Sequence, residues 1–588
     1  MDKSKITKSL AVFASVLLII IIGVASFAYF GTFNVNLNNN VAVNINSSSP
    51  GNATFTSNAT QLNLQVPAAN MSFTVANNTV AAKEDTAFLD VILTGSENLL
   101  TTCTYDIVYE YDAGSNVYGQ GTTTKTSGAT KEITIEVNGM NGNNHFATET
   151  NFDHASIQSY YDSTNKYYKL VEGATIKSLD TEQSVRWKIT GRYYNLTASQ
   201  AQLGGKAFTG KIYAISKGCS SEDGTTVKKG YETILANNGG AASMTTLTST
   251  DFATATTASD KGMYKAQDDL GTSYYFRGAV DNNWVKYGKY TKDAYITVDS
   301  NDNYSLVDSC NGLNLCVKLA SKGDDMYWRI IRVNGDNSIR MIYTGTSAPD
   351  NNTKVVMTES INSSGYIRAT SAGMSKFNQN FDSAEYVGYM YEIGKQHGTS
   401  QSSDIKTYLE DWYANYTDLN ASETKITDQI FCNDRTSSTD SSGIPGEISS
   451  WASTGTAYYY GSYYRVVEKY STPMPSLICN NANDKFTTTT AKGNGKLSYP
   501  IGLITADEVN MAGASSNQSY YLYNENSYWG GSPFDFSDDG AYEFSVDIDG
   551  HLSGGFVSES GGVRGVVSLS SESKLLGSGT YNDVYTVN

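Results

Sequence analysis

Four histidines are all the chain has, His145, His154, His397 and His551, and no two are close in sequence. HExxH, GxSxG, GxGxxG and the P-loop pattern are absent, so zinc-protease, esterase, dinucleotide and nucleotide-triphosphate chemistry have no local support. An enzyme is therefore not expected. No pair of cysteines is spaced CxxC, which removes zinc ribbons and thioredoxin-type redox chemistry. Charged residues make up only 17%, too few for long salt-bridged helices. Basic residues are outnumbered 42 to 59, and a net charge of −17 repels phosphate backbones, so nucleic acid is not an expected partner.

Tyrosine (43) and glycine (52) are abundant, and Thr, Ser and Asn are rich throughout. That composition predicts a mainly β fold with a few short helices. At 588 residues the chain exceeds one core, so several domains are expected.

Lys3, Lys5 and Lys8 precede an uncharged run, Leu10–Phe30. Its length matches a bilayer core at about 1.5 Å per residue. Residues 1–8 read as a cytoplasmic basic segment and 9–30 as a transmembrane helix, with the lipid bilayer as partner through 10–30 and the bulk of the chain extracellular. The other reading is a cleaved leader, with small residues near Ala25-Ser26-Phe27-Ala28, which would leave a secreted protein. Residues 31–85 read as an Asn/Ser/Thr-rich stalk or first strands, 86–219 as an antiparallel β-sandwich, 220–261 as a linker, and 262–588 as an α+β domain interrupted by an insertion at 288–324. Six cysteines in an exported chain suggest disulfides, and locality favours Cys103–Cys219, Cys310–Cys316 and Cys432–Cys479. Free buried thiols are the alternative.

The organising stretch of the second half is Tyr327–Gly345, YWRIIRVNGDNSIRMIYTG. Two β-branched and aromatic runs flank Asn334-Gly335-Asp336-Asn337, a hairpin signal. Trp328 is expected in the core. Arg277, Arg332, Arg340 and Arg564 are expected as structural ion-pair partners. A helix is predicted over Asp404–Tyr413 with Ser403 as N-cap, and a second at Thr505-Ala506-Asp507-Glu508, a capping box.

Two resemblances follow from quoted motifs. The lysine-led span ending Ala28-Tyr29-Phe30, the Asn/Thr-rich strands after it, and WKITGRYYNLTASQAQLGGKAFTGKIY (Trp187–Tyr213) resemble the camelysin and TasA-like surface proteins of Gram-positive bacteria. This implies an exported β-sandwich over residues 1–219 and identifies no active site. YYFRGAVDNNWV, YWRIIRVNGDNSIRMIY, IFCNDR, YPIGLITADEVNMAGA and GVRGVVSL are similar, in order, to motifs of a group of exported bacterial surface proteins. YWGGSP (Tyr528–Pro533) and Val563-Arg564-Gly565 look like motifs of the C-type-lectin-like fold shared by formylglycine-generating enzymes, implying that fold for the second domain. Glycine stands where relatives often have a bulkier residue before Ser-Pro and a proline after Arg. The catalytic cysteine pair of those enzymes has no counterpart, because no cysteine follows Cys479.

Tyrosine-rich AYYYGSYYR (Ala457–Arg465) and QSYYLYNENSYW (Gln518–Trp529) supply the candidate ligand-binding residues Tyr458, Tyr459, Tyr460, Tyr463, Tyr464, Arg465, Tyr528 and Trp529. Tyrosine offers flat apolar area with a hydroxyl, which suits glycan or protein recognition. The competing reading is that these side chains fill both faces of β-structure. Asp535, Asp538, Asp539, Asp547 and Asp549 form a candidate calcium set, against the alternative of solvated turn residues beside Gly540 and Gly550. No other cofactor is expected. The sequence thus points to a membrane-anchored surface adhesin or ligand-binding protein with a glycan or a host or cell-surface protein as partner. A structural or fibre-forming component is the second reading, and a hydrolase or oxidase on the lectin-like scaffold the third.

Overall fold

A computed structural model describes residues 53–66, 82–96, 98–112, 117–118, 126, 132–141, 144–152, 167–196, 199–224, 227–301, 303–311, 316–346, 358–362, 365–369, 372–468, 471–514, 518–524, 526–537 and 540–588. The Leu10–Phe30 span, most of the stalk, Asp538 and Asp539 lie outside them. Among the described residues no helix is long and apolar enough to cross a membrane. The fold is mainly β, built from several antiparallel sheets in two units, residues up to Val227 and Lys228–Val587.

The first unit contains β1 (Thr54–Ser57), β2 (Thr60–Gln65), β3 (Lys83–Thr94), β4 (Leu99–Tyr111), β5 (Ile133–Asn141), β6 (Asn144–Phe152), β7 (Tyr168–Leu179), β8 (Glu182–Tyr193) and β9 (Ala207–Asp223). They form two sheets, β1-β3-β8-β5-β6 and β2-β9-β4-β7. In β3 every second residue turns inward, so Ala87, Leu89, Val91 and Leu93 are buried while the residues between them are not. These meet Leu62, Leu64, Tyr105, Ile107 and Tyr109 from the other sheet in one core. Trp187 on β8 donates its indole N–H to the Tyr105 hydroxyl across that core, at 3.1 Å. Cys103 on β4 lies directly opposite Cys219 on β9, and the two are bonded.

The Ser/Thr/Gly/Ala-rich stretch 220–261 is not one uniform segment. It holds the end of β9, a helix at Gly230–Asn237, a one-turn helix at Ser249–Ala253 and the first residue of the next strand, and from Lys228 it belongs to the second unit. There β10 (Lys261–Asp268), β11 (Gly271–Gly278) and β12 (Trp284–Lys289) lead to β13 (Ala294–Val298), β14 (Tyr304–Val307) and β15 (Cys316–Ala320). The stretch expected as an insertion, 288–324, carries these last three strands as a separate sheet, and the Cys310–Cys316 bond closes the loop between β14 and β15.

β16 (Asp325–Val333) and β17 (Ile339–Gly345) are the hairpin, and every residue of β16 is buried. The turn is closed by Asn334, whose N–H donates to the Ser338 carbonyl at 2.8 Å, and the left-handed position is taken by Asn337, at φ +67°. Gly335 serves a different purpose from the one its Asn-Gly context predicts. A Cβ there would come within 2.3 Å of the Gly271 amide and 2.4 Å of the Asp268 carboxylate, so glycine lets the β10–β11 turn pack on the hairpin turn. Trp328 is fully buried, its ring edge-on to Tyr343 at 5.2 Å and its indole N–H donating to the Tyr287 carbonyl at 2.7 Å.

The four arginines divide. Arg332 pairs with Asp268 and Glu508, and Arg340 with Glu508. Arg277 and Arg564 instead donate to main-chain carbonyls, Arg277 to Asn510, Met511, Asp251 and Thr254, Arg564 to Tyr343 and Leu522. Expecting ion pairs for these two overlooked that carbonyls left at helix and strand ends also need donors. Burial alone would raise the Glu508 carboxyl. The Arg340 and Arg332 guanidinium groups and the Thr505 amide overcome that and hold it below its ordinary range. Glu508 also completes the Thr505 capping box at the start of helix Ala506–Ala512, as expected.

Glu543 is the opposite case. It is fully buried on the strand Gly540–Val546, and neither carboxyl oxygen has a hydrogen-bond partner among the described residues. Burial pushes its pKa well up, with Arg435 opposing. A raised folded pKa means that the folded protein keeps a proton the unfolded chain releases. The stability this gives is complete below about pH 4.3, the ordinary glutamate value, and is lost as pH rises toward the folded pKa. Glu543→Gln should therefore raise stability at pH 7 and leave it nearly unchanged at pH 4. Thermal unfolding at the two pH values checks this; equal shifts at both would contradict it.

Candidate functional site

The structure places the tyrosine-rich segments largely inside. Tyr458, Tyr460, Tyr528 and Trp529 are buried. Tyr458 stacks on Trp451 at 4.4 Å, and the Tyr460 hydroxyl donates to the Ala384 carbonyl at 2.7 Å. The Tyr528 hydroxyl donates to the Leu522 carbonyl at 3.1 Å, and Trp529 to the Ser375 carbonyl at 2.9 Å. Strand parity turns 458 and 460 to the same, inner face, while 528 and 529, on opposite faces of their strand, are covered on both sides. Tyr459, Tyr463 and Tyr464 are half-buried, with Tyr459 against Tyr463 and Tyr463 against Phe534. Arg465 is consumed by Asp434 and Asp507, at 2.8 and 2.7 Å.

The aspartates are dispersed in role. Asp547 accepts from the Asp549 and His551 amides, both at 2.9 Å, and Asp535 from the Ser537 hydroxyl at 3.3 Å. Asp547 and Asp549 thus build the turn before Gly550. Among the described residues no group of three His, Cys, Asp or Glu side chains is arranged to hold a metal ion.

Among the described residues, the second unit holds at least two cavities. The first lies beside the hairpin turn, lined by Arg332, Arg340, Arg465, Asp434, Asp507 and Glu508 among others, with Cys432 of the Cys432–Cys479 bond at its wall. Its free volume is only about 30 Å³, room for a water or two. Its carboxylates and guanidinium groups are already paired with each other, so it reads as a structural ion network.

The second is an open groove of about 450 Å³. Three segments build it: Asn303–Leu306 of β14 and the residue before it, Ser375, Lys376 and Gln379 around the short strand Met374–Lys376, and the helix Asp404–Tyr416. The helix starts at Ser403, whose side chain accepts from the Lys406 amide. It runs three residues beyond the predicted end. Asp404, Thr407, Tyr408 and Asp411 follow i, i+3, i+4, i+7 spacing and therefore line the groove as one face. Tyr408 is the buried member of this face, its hydroxyl donating to the Ala372 carbonyl at 2.9 Å. Gly373 makes that possible: at φ +111° it takes a left-handed conformation, and a Cβ would fall 2.0 Å from the Tyr408 hydroxyl.

The groove walls are pre-organised. Asp404 accepts from the Gln379 amide at 2.5 Å, linking helix to strand. Lys376 donates to the Asn303 side chain at 3.1 Å and to the Asn301 carbonyl at 3.4 Å. Asp299 holds that loop by accepting from Asn303 and Asn301, and these bonds, the Asn303 amide foremost, keep its carboxyl below the usual range. Tyr304 and Leu306 supply half-buried apolar area, while Ser305, Gln379, Asp404, Thr407 and Asp411 are exposed. Comparison with family models, curated proteins and solved structures finds no match for the chain. Sequence reasoning found the helix and its cap but missed the groove. The exposed polar residues of three segments, about a hundred positions apart from first to last, carry no local pattern that joins them.

Three disulfides are present, paired as locality predicted, and they indicate an oxidising, extracytoplasmic setting.

Proposed function

We propose that this is an exported cell-surface protein that binds carbohydrate in the groove between β14 and the helix Asp404–Tyr416. In this reading the Leu10–Phe30 span anchors the chain, the first unit is a camelysin or TasA-like sandwich, and the second is a C-type-lectin-like domain. The observation that carries the proposal is the lining of the groove. Saccharides need an apolar face for the ring and fixed polar groups for the hydroxyls. Tyr304 and Leu306 offer the first, and Asn303, Ser305, Gln379, Asp404, Thr407 and Asp411 offer the second. A volume of 450 Å³ suits a short oligosaccharide rather than a protein interface.

A glycan array probed with the full chain tests this. Binding to an oligosaccharide is expected. Tyr304→Ala should weaken it about tenfold or more, measured below the variant's own unfolding temperature because Tyr304 also packs against the core, since an aromatic ring stacked on a sugar at roughly 1.4 kcal/mol accounts for that factor. Absence of any glycan ligand would sink the reading.

A further inference from the structure

We propose that the groove selects amino sugars carrying a free ammonium group over their N-acetylated or anionic counterparts. This deepens, and rests on, the carbohydrate reading above. The argument is one of charge and spacing. Asp404 and Asp411 are both exposed and both line the groove. They stand seven residues apart on one helix face, so their Cα positions differ by about 10.5 Å along the axis. A ligand lying along the helix meets one carboxylate near each end of the groove.

The opposing charge is one lysine. Lys376 is held by the Asn303 side chain and the Asn301 carbonyl, on the far wall. Its contacts are to neutral acceptors, so it does not neutralise either aspartate through an ion pair. The Asp404 contact is the Gln379 main-chain amide, and the Asp411 contact is the neutral Asn415 side-chain amide, at 2.7 Å. The groove lining therefore carries two carboxylates against one ammonium, and that ammonium also faces Asp299 behind Asn303. A uronic or sialic acid would meet like charge there, inside a protein that already carries −17. An N-acetyl group would leave the carboxylates without a cation. A glucosamine-type oligomer, which places an ammonium beside each apolar ring face, supplies both parts the lining asks for: one cation for Asp404 and another for Asp411, and a flat face for Tyr304.

The experiment is calorimetric titration of the full chain with three probes of equal length: glucosamine oligomers, N-acetylglucosamine oligomers and oligomers of glucuronic acid. Tightest binding of the free-amine oligomer is expected, by about tenfold over the N-acetylated one, with the uronic acid weakest. Asp411→Asn should lower the ratio of free-amine to N-acetylated affinity severalfold, a ratio from which any contact made equally to both oligomers cancels. Asp404→Asn, which keeps an oxygen for the Gln379 amide, should do the same and guards against a change specific to one position. Equal affinity for free-amine and N-acetylated oligomers overturns the amino-sugar inference and leaves the carbohydrate reading standing. Binding of none of the three, together with an array on which no glycan binds, overturns both.

Discussion

Replacing both Cys103 and Cys219 by serine should destabilise the first unit by about 4–5 kcal/mol. The bond spans a sequence separation of 116, and closing a loop of that order removes this much chain entropy from the unfolded state. The bond also joins two long central strands, β4 and β9, at directly opposed positions, and Cys103 is wholly buried. The serine hydroxyl at 103 would then add a desolvation cost at the core. Hydrogen exchange of β4 and β9 peptides in the full chain reads the loss directly. A change below about 1 kcal/mol would show that the oxidised bond adds little to this unit. The same comparison at Cys310–Cys316, separated by six positions, should show about half the effect.

Trp328→Ala should cost the second unit about 3–5 kcal/mol, the range for emptying a large aromatic from a packed core. The indole has no exposure, one strong hydrogen bond to Tyr287 and an edge contact with Tyr343, which itself packs on Trp412. The cavity would open where the hairpin, β12 and the helix Asp404–Tyr416 meet. Tyr459→Ala is the control: a half-buried side chain outside that core, whose removal should cost far less. Denaturant unfolding of the two variants separates them, and equal costs would mean that the hairpin is not the centre of the unit.

The contrast between these residues shows what was legible in the sequence. Trp328 was readable because an apolar run flanking a turn admits one burial pattern. The Thr505 capping box was readable because its two partners lie three residues apart and need nothing else. The disulfides followed from proximity along the chain. The tyrosine-rich segments admitted two readings because residue type alone does not give parity: in Tyr458-Tyr459-Tyr460 the outer two turn inward and only the middle one faces out. β7, Tyr168–Leu179, carries little signal in the sequence, because its alternation is broken by polar residues and by Gly173, which takes a positive φ. The groove was illegible for a deeper reason. Its members are ordinary surface residues, and what makes them a site is the packing of β14, a three-residue strand and one helix, fixed by Gly373 and Tyr408 rather than by the lining itself.

The central claim is that ligand recognition lies in this groove and not at the tyrosine-rich surface. Hydroxyl-radical footprinting of the full chain, with and without the oligosaccharide that binds best, tests it most directly. Protection of Tyr304 and Leu306, with Tyr459 and Tyr463 unchanged, is the predicted result. Protection of Tyr459 and Tyr463 with Tyr304 unaffected would contradict it.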